Sequence, residues 1–476
     1  MGIFTTIIDN LPAIAGPSQR KLSFKEKAKW TLIILVLFYV LGLIPLFGLG
    51  ANALQQFEFL SVIVAAKFGS IISLGIGPLV TASIVLQLLN GSGIVKFDLN
   101  SHEGKRKFQG VQKLLSIFFI IFEACIYVFL GGLAPETQFI GTPLYFELQL
   151  MLVFQIFLGG VLVMFMDEVV SKWGFGSGIS LFIAAGVSEE IAVRALSPLP
   201  SPTNPGIATG AIPALFQSLA AGDPQTAFIM ISAVIATVLI FVVSIYAMAM
   251  KIEIPLSFGR VRGHGIRWPL SFIYTSNMPV ILVAALLANI QLWASLLQKF
   301  VEDRAIEAGV TFFMSKYIFG MVNSVNSGYG MVQWVNPPDI MRSAITGSLN
   351  WGLFWVALGY LFIMIVGAVI FSVFWVQTAG MDARSQAKQM MASGLQIPGF
   401  RKDERVLERL LSRYIMPLTI MGGALVGFLS ATADLSGALS RGTGILLTVM
   451  IMYRLYEDIA RQHMMDMHPM MRKFVE

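Results

Sequence analysis

The chain has 476 residues, of which 56% are hydrophobic and only 13% are charged, and its formal net charge is +6. About a quarter of the residues in a soluble domain are charged, so this chain cannot cover itself with polar side chains and most of it belongs in a lipid bilayer. The composition excludes a disordered chain, a collagen and a small disulfide-rich scaffold. A single cysteine excludes an internal disulfide, and with only four histidines an iron–sulfur cluster or a closed zinc site is implausible.

Apolar runs long enough to cross a bilayer recur along the chain, since a spanning helix needs roughly 20 apolar residues. The clear runs are Trp30–Phe47, Ile71–Leu89, Leu114–Gly131, Leu144–Met166, Ala227–Met250, Pro269–Trp293, Trp351–Trp375 and Ile415–Ala431. The shorter runs Gly178–Val193 and Gly442–Tyr456 bring the expected number of spans to ten. Because Lys25, Lys27 and Lys29 precede the first run and no small-residue cleavage site follows it, we expect a span there and not a cleaved signal peptide.

The distribution of basic residues predicts the orientation, because lysine and arginine are enriched in cytoplasmic loops. With the N-terminus inside and ten alternating spans, most of the 33 Lys and Arg residues fall in inside segments. Losing one span would invert everything after it and remove this asymmetry. The charges therefore predict ten spans with both termini cytoplasmic.

The segment Gln56–Ala66 is apolar but reaches only about half of the membrane at 1.5 Å per residue. Its apolar side chains are Phe57, Phe59, Leu60, Val62, Ile63 and Val64. Because it follows an outside turn, it is either a short helix that dips in from the outer face or an amphipathic helix that lies in the interface.

A Pro-, Ser- and Gly-rich external linker at 194–226 divides the spans into two sets of five, in 1–193 and 227–476. Five is an odd number, so the second set runs in the opposite orientation, as in inverted-repeat membrane proteins. A second external excursion covers 294–350.

Two local similarities support the repeat. The fifth span begins with GSGI at 176–179 and the tenth with GTGI at 442–445, and the second span of each half carries a proline, Pro78 or Pro279. Interrupted helices at matching places point to a functional path between the halves, although glycine and proline are also common in membrane helices.

Groups that carry out chemistry or bind ions are nearly absent from the spans. Glu123 is the clearest charge within one, whereas Glu147 lies near a span end and Asp167 and Glu168 lie just past another. No HExxH, P-loop, GxSxG or dinucleotide-binding motif occurs. We therefore expect no enzyme, no ATPase, no proton relay and no cofactor.

Aliphatic residues are the candidates for lining a path. Ile76 and Val80 lie four residues apart beside Pro78, and Ile179 and Ile183 lie four apart after the glycine-rich turn. Taken alone, each pair is better explained by ordinary packing, because apolar side chains fill any membrane helix.

Polar residues within spans are fewer, and each needs a partner in hydrocarbon through hydrogen bonds worth roughly 0.6–2 kcal/mol. They are Thr81, Ser83, Gln87, Glu123, Ser276, Asn277 and Asn289. These residues either serve only to hydrogen-bond neighbouring helices to each other, or they form a polar seam between helices that can open reversibly.

Several of these stretches resemble the SecY family, the channel subunit of the Sec protein-conducting translocon. They are 69–78 (GSIISLGIGP), 176–179 (GSGI), 251–256 (KIEIPL), 276–282 (SNMPVIL), 289–293 (NIQLW), 399–402 (GFRK) and 442–448 (GTGILLT). The resemblance covers most of the chain, except 194–226 and 294–350, and is closest to the archaeal branch.

The resemblance implies an all-α integral membrane protein with ten transmembrane helices in two inverted five-helix halves around an hourglass pore. The waist of the pore would be a ring of aliphatic side chains at Ile76, Val80, Ile179, Ile183, Ile281 and Leu447. Such a ring opposes water and ions by dewetting and can seal around a polypeptide of any sequence. Gln56–Ala66 falls where the family has its plug, a short helix that blocks the outer side of the ring.

The resemblance also implies a lateral gate to lipid, where the second and third spans face the seventh and eighth. Its polar residues would be Thr81, Gln87, Glu123, Asn277 and Asn289. Because hydrogen bonds hold such a gate only modestly, an entering apolar signal helix could offset their loss by burying its surface in lipid.

The family's partners follow from the same resemblance. Arg260, Arg262, Arg401 and Lys402 lie in basic loops that in the family bind the translating ribosome, whose RNA phosphates attract such charges. The positive-inside rule alone explains any single one of these charges. Further implied partners are the small subunits SecE and a Sec-beta-type protein, the signal recognition particle pathway, signal sequences, nascent polypeptides and membrane lipid. The chain would be a passive channel in the cell membrane, driven by cytosolic partners.

Two other classes remain as alternatives. A secondary transporter with an inverted repeat needs intramembrane charges or a polar site at the midplane, and the chain has little of either. A membrane insertase or scaffold without a continuous pore differs from a channel mainly in ion conductance.

Overall fold

The computed structural model describes residues 10–17, 22–52, 67–91, 94–95, 97, 102–200, 206–258, 265–275, 279, 281–284, 286–287, 290–291, 294, 298, 331–392, 395–396 and 403–467. Helices dominate this part of the chain. They are α1 (Phe24–Leu43), α2 (Gly77–Gly91), α3 (His102–Phe129), α4 (Pro143–Trp173), α5 (Gly178–Leu196), α6 (Ala211–Ala221), α7 (Pro224–Ala249), α8 (Met331–Val335), α9 (Ile340–Ile345), α10 (Trp351–Thr378), α11 (Ala383–Ala392), α12 (Glu404–Leu435) and α13 (Gly442–Met467).

Two small antiparallel sheets accompany the helices. Strand β1 (Leu49–Asn52) pairs with β2 (Leu133–Pro135). In the second sheet β3 (Lys251–Phe258) lies between β4 (Gly265–Ser271) and the two-residue strand β5 (Leu395–Gln396). This sheet joins the two basic loops that precede the seventh span and α12.

Several helices begin at a side chain that binds the free amides of the first turn. The Ser23 hydroxyl accepts the Glu26 amide at α1, and the Asp403 carboxylate accepts the Arg405 amide at α12. At α7 the carboxylate of Asp223 accepts two backbone amides. Such capping is typically worth ~1 kcal/mol.

The expected spans largely coincide with helices. Among the described residues, the helical stretches that are long and apolar enough to cross a membrane are Glu103–Phe129, Pro143–Trp173, Pro224–Ala249, Trp351–Met391 and Glu404–Leu435. The other expected spans fall on α1, α2, α5 and α13 and on helical residues of the seventh span, including 281–284. The total of ten spans stays a prediction.

Two expected span starts are wrong. Residues 71–76 form a succession of tight turns and α2 begins only at Gly77, because the chain first folds back through short-range bonds such as that from the Ser73 hydroxyl to the Ser70 carbonyl. The seventh span cannot start at Pro269, because 269–271 belong to β4.

Three further boundaries differ from the expected ones. Helix α4 continues to Trp173, so Asp167 and Glu168 lie within it and not past its end. The linker 194–226 contains α6, and the excursion 294–350 contains α8 and α9. The proline and serine residues of the linker gave no sign of its helix, and its role as an external link between the halves stays a prediction.

The same pairs of helices pack in both halves. In the first half α1 packs on α4 and α5, α4 packs on α5, and α3 packs on α4. At the corresponding positions of the second half, α7 packs on α12 and α13, α12 packs on α13, and α10 packs on α12. Between the halves α5 contacts α13, and α2 contacts α10. The internal repeat is therefore visible in packing as well as in sequence.

A pair of adjacent glycines marks the central helix of the first half. A Cβ atom at Gly159 of α4 would overlap the carbonyl oxygen of Ile71, just before α2. A Cβ at Gly160 would lie 2.6 Å from the Ile120 side chain of α3. Small residues let membrane helices approach closely. Gly159 and Gly160 therefore allow α4 to lie close to the segment before α2 and to α3.

The second half repeats the arrangement. A Cβ atom at Gly422 of α12 would lie 2.9 Å from the carbonyl oxygen of Phe272, just before the seventh span, and one at Gly423 would lie 2.5 Å from the Ser372 hydroxyl of α10. Gly422 thus faces the segment just before the second span of its half, as Gly159 does, and Gly423 faces the third span of its half, as Gly160 does. This agreement is a side-chain-level sign of the repeat.

We expect the substitution Gly159→Ala to destabilise the protein by ~1–3 kcal/mol, because the new methyl group meets rigid backbone. Gly160→Ala should cost less, since the Ile120 side chain can turn away. Gly352→Ala in α10 is the matched control, because no atom lies within 4 Å of its Cβ position. The midpoint of thermal unfolding in detergent measures all three, and equal midpoints for Gly159→Ala and Gly352→Ala would contradict the close approach.

Candidate functional site

Apolar side chains from both halves meet in one buried cluster, which includes residues of α1, α4, α5, α7, α12 and α13. Four of the residues expected at the pore waist are buried members of this cluster, namely Ile76, Ile183, Ile281 and Leu447. None of the four is more than 6% exposed. Val80 and Ile179 are half-buried and pack against it. The fold therefore brings all of these positions to one region, and their role as a ring stays a prediction.

Short-range geometry places several of these side chains near the start of a helix. Ile76 ends the turns before α2, where Gly75 adopts a positive φ of 53° that suits glycine. The Ile76 carbonyl accepts the Val80 amide at 3.0 Å, so the two lie on the same side of the first turn. Leu447 lies in the second turn of α13.

The chemistry of the cluster is that of a barrier. Aliphatic side chains offer no charge or hydrogen bond to an ion, and a narrow apolar constriction loses its water. They also offer no fixed partner to a peptide of particular sequence. A cluster of this composition is chemically suited to sealing a path without selecting for a particular peptide sequence.

Polar side chains meet where α2 packs on α3. The Thr81 hydroxyl donates to the Gly77 carbonyl of its own helix at 2.9 Å, and Glu123 lies on α3, the helix on which α2 packs. Further along α2, the Gln87 amide donates to the Ser83 hydroxyl at 3.0 Å within the helix. Because α2 also contacts α10 of the other half, these side chains lie on a helix placed between the halves.

Sequence reasoning missed the polar contacts at the far end of α5. Glu189 forms an ion pair of 2.8 Å with Lys67, whose ammonium group also lies 4.5 Å from the centre of the Tyr39 ring. The Glu190 carboxylate accepts the Ser440 hydroxyl at 2.5 Å, just before α13. The available signal was two adjacent acids near the end of a short apolar run. These contacts tie α5 to residue 67, directly after the segment 53–66, and to the second half.

A cavity of about 210 Å³ opens beside the first turn of α5. Ser177 and Ser180 line it from one side, and Arg454 and Asp458 of α13 from the other. Leu181 and Ile451 belong both to its wall and to the apolar cluster. A cavity lined by both polar and apolar side chains thus adjoins the apolar cluster.

The remaining candidates lie outside the described residues. They are the plug side chains Phe57, Phe59, Leu60, Val62, Ile63 and Val64, the gate residues Asn277 and Asn289, and the loop residues Arg260, Arg262, Arg401 and Lys402. Within the described ranges no group of three or more His, Cys, Asp or Glu side chains could hold a metal ion.

The sequence matches known proteins along almost its whole length. The family model for SecY matches residues 70–456. A protein translocase subunit SecY from Methanothermobacter thermautotrophicus is 44% identical, with 99% of this chain and 98% of that protein covered. The corresponding subunit from Methanocaldococcus jannaschii is 40% identical, with 98% of both chains covered.

Solved structures agree with these matches. A structure of a protein-conducting channel is 39% identical, has a TM-score of 0.78 and covers 98% of both chains. A structure that concerns the plug domain of SecY and the closed channel is 39% identical, with a TM-score of 0.77 and 98% of both chains covered. The channel in the canine ribosome–channel complex from the endoplasmic reticulum is 38% identical, with a TM-score of 0.76 and the same coverage. The chain therefore belongs to the SecY family and is of its archaeal type.

Proposed function

We propose that this chain conducts unfolded polypeptides across the membrane and releases hydrophobic segments sideways into lipid. The observation that carries the proposal is the single apolar cluster in which the candidate waist residues of both halves meet. The waist would be the ring of Ile76, Val80, Ile179, Ile183, Ile281 and Leu447. The sideways exit would lie where α2 and α3 face the seventh span and α10, beside Thr81, Gln87, Glu123, Asn277 and Asn289.

The channel would be passive, without an enzymatic activity of its own. An aliphatic waist supplies no force, so the drive must come from the cytosolic side, by a translating ribosome or another motor. The canine relative belongs to a ribosome–channel complex, which supports the ribosome as a partner here. Its docking groups would be Arg260, Arg262, Arg401 and Lys402, through phosphate contacts.

The remaining assignments follow from the family and from the charge pattern. We place this multi-pass protein in the plasma membrane with both termini in the cytoplasm, in complex with SecE and a Sec-beta-type subunit. Signal sequences would reach it by the signal recognition particle pathway. Its halves would be 1–193 and 227–476, joined by the external linker 194–226.

A plug at Gln56–Ala66 makes a direct prediction for planar bilayers. The intact protein should be electrically silent, and a variant lacking these residues should open in flickers, because the waist alone seals less firmly. Single-channel recording tests this after gel filtration shows that both proteins are folded. Silence of both inserted proteins would count against a pore and in favour of a scaffold.

A polar substitution in the waist should let ions through. In Ile183→Asn an amide enters the ring, and we expect the ion conductance of the closed protein to rise roughly tenfold, as for a barrier lowered by about 1.4 kcal/mol. Ile156→Asn is the matched control, since Ile156 is equally buried but belongs to a separate apolar cluster. Equal ion flux through the two variants in liposomes would refute the assignment of Ile183.

The Thr81 hydroxyl, on the first-half side of the proposed gate, should help to hold the gate closed. Thr81→Val keeps the shape but removes the hydroxyl, and we expect a marginally apolar signal helix to enter lipid roughly threefold to tenfold more often. Ser116→Ala is the matched control, because the Ser116 hydroxyl of α3, like that of Thr81, binds a carbonyl of its own helix but is not among the proposed gate residues. Insertion into proteoliposomes measures the effect, and no difference between the variants would remove Thr81 from the gate.

A further inference from the structure

Two helices that supply proposed waist residues begin in a similar way. Helix α5 carries Ile179 and Ile183, and α13 carries Leu447. A glycine with positive φ precedes each start, Gly176 before α5 and Gly437 before α13. The first-turn amides of any helix have no partner within the helix and need one from elsewhere.

At α5 the partner comes from a different helix. The local capping residue Ser177 makes no capping bond with its side chain. Instead the Asp167 carboxylate of α4 accepts the Ile179 amide at 2.9 Å. A Cβ atom at Gly178 would lie 2.6 Å from the Asp167 Cα, so the two helices touch here. The backbone of a proposed ring residue is therefore bound directly to α4.

At α13 the partner of the first-turn amide comes from the preceding helix, α12. The Asp434 carboxylate of α12 accepts the Gly442 amide at 2.8 Å with one oxygen, and the Tyr360 hydroxyl of α10 at 2.6 Å with the other. A Cβ atom at Gly442 would overlap the carbonyl oxygen of Ser430 in α12. Leu447 follows one turn later.

We propose that Asp167 and Asp434 are positioning residues that set the width of the pore waist, one in each half. Each fastens the first turn of a pore-lining helix to the helix before it, so that the ring side chains in the first two turns keep a fixed place. A capping residue next in sequence could not do this, because it would move with the helix that it caps. The inference rests on the proposed function, since it assumes that Ile179, Ile183 and Leu447 line the waist.

The chain offers a matched control. Asp223 caps α7 through the amides of Gln225 and Thr226, which follow it directly in sequence. It has the same chemistry, but the hydrogen bonds of its carboxylate, within the part of the chain that the structure describes, stay at the start of α7 and reach no proposed ring residue. Asp223→Ala should therefore leave the waist unchanged.

The test uses the full-length chain lacking Gln56–Ala66, so that the waist alone limits ion flow. In Asp167→Ala and Asp434→Ala we expect the fraction of time spent open in single-channel recordings to rise roughly fivefold, as for loss of one capping bond in a two-state equilibrium. Asp167→Asn keeps an acceptor oxygen and should return the open fraction to the parent value. Tyr360→Phe removes one donor from Asp434 and should give a smaller rise.

The outcomes separate the two proposals. If the parent without Gln56–Ala66 does not conduct, the proposed function fails. If the parent conducts but folded alanine variants open as the parent does, only the positioning role fails. It fails too if Asp223→Ala opens the channel equally, or if Asp167→Asn opens it as much as Asp167→Ala. If an alanine variant does not fold, Tyr360→Phe and Asp167→Asn decide the test alone. The positioning role is refuted if Tyr360→Phe opens only as often as the parent, or if Asp167→Asn opens much more often than the parent.

Discussion

A backbone amide that begins a helix within a membrane has no water to bind and must find its partner in the protein. Helices α5 and α13 meet this requirement with carboxylates from the preceding helices, Asp167 and Asp434. These bonds hold the first turns of α5 and α13, and they also join α4 to α5 and α12 to α13. The packing of α4 with α5 and of α12 with α13 depends on them and on the glycines that permit the close approach.

The central helices α4 and α12 organise their halves in the same manner. Each packs on the first, third and fifth span of its own half. Adjacent glycines, Gly159 and Gly160 or Gly422 and Gly423, admit the neighbouring backbone and side chains. The steric and the polar devices thus both repeat, and the two halves contact each other where α2 meets α10 and where α5 meets α13.

Sequence reasoning predicted the parts that depend on bulk hydrophobicity. The long apolar runs largely coincide with helices, and the shorter runs Gly178–Val193 and Gly442–Tyr456 coincide with α5 and α13. It failed where short-range hydrogen bonds compete with the helix, as at residues 71–76, and where an apolar run continues a strand, as at Pro269. Asp167 was taken for a residue past a span end, and Asp434 attracted no attention, because the partners of both are fixed only by tertiary packing.

The closed waist and the polar contacts around it have different energetic roles. Fully burying an aliphatic side chain of this size is worth ~1.5–3 kcal/mol, so an empty open ring that exposes several of them to water is costly. A chain that fills the ring, or a signal helix that covers the parted gate with its own apolar surface, removes most of this cost. In the proposed channel the polar gate residues Thr81 and Glu123 would add little to the barrier, but an entering segment would have to be apolar enough to offset the loss of their contacts. Selection of segments for lipid would then reside in the gate, while the ring would stay indifferent to sequence.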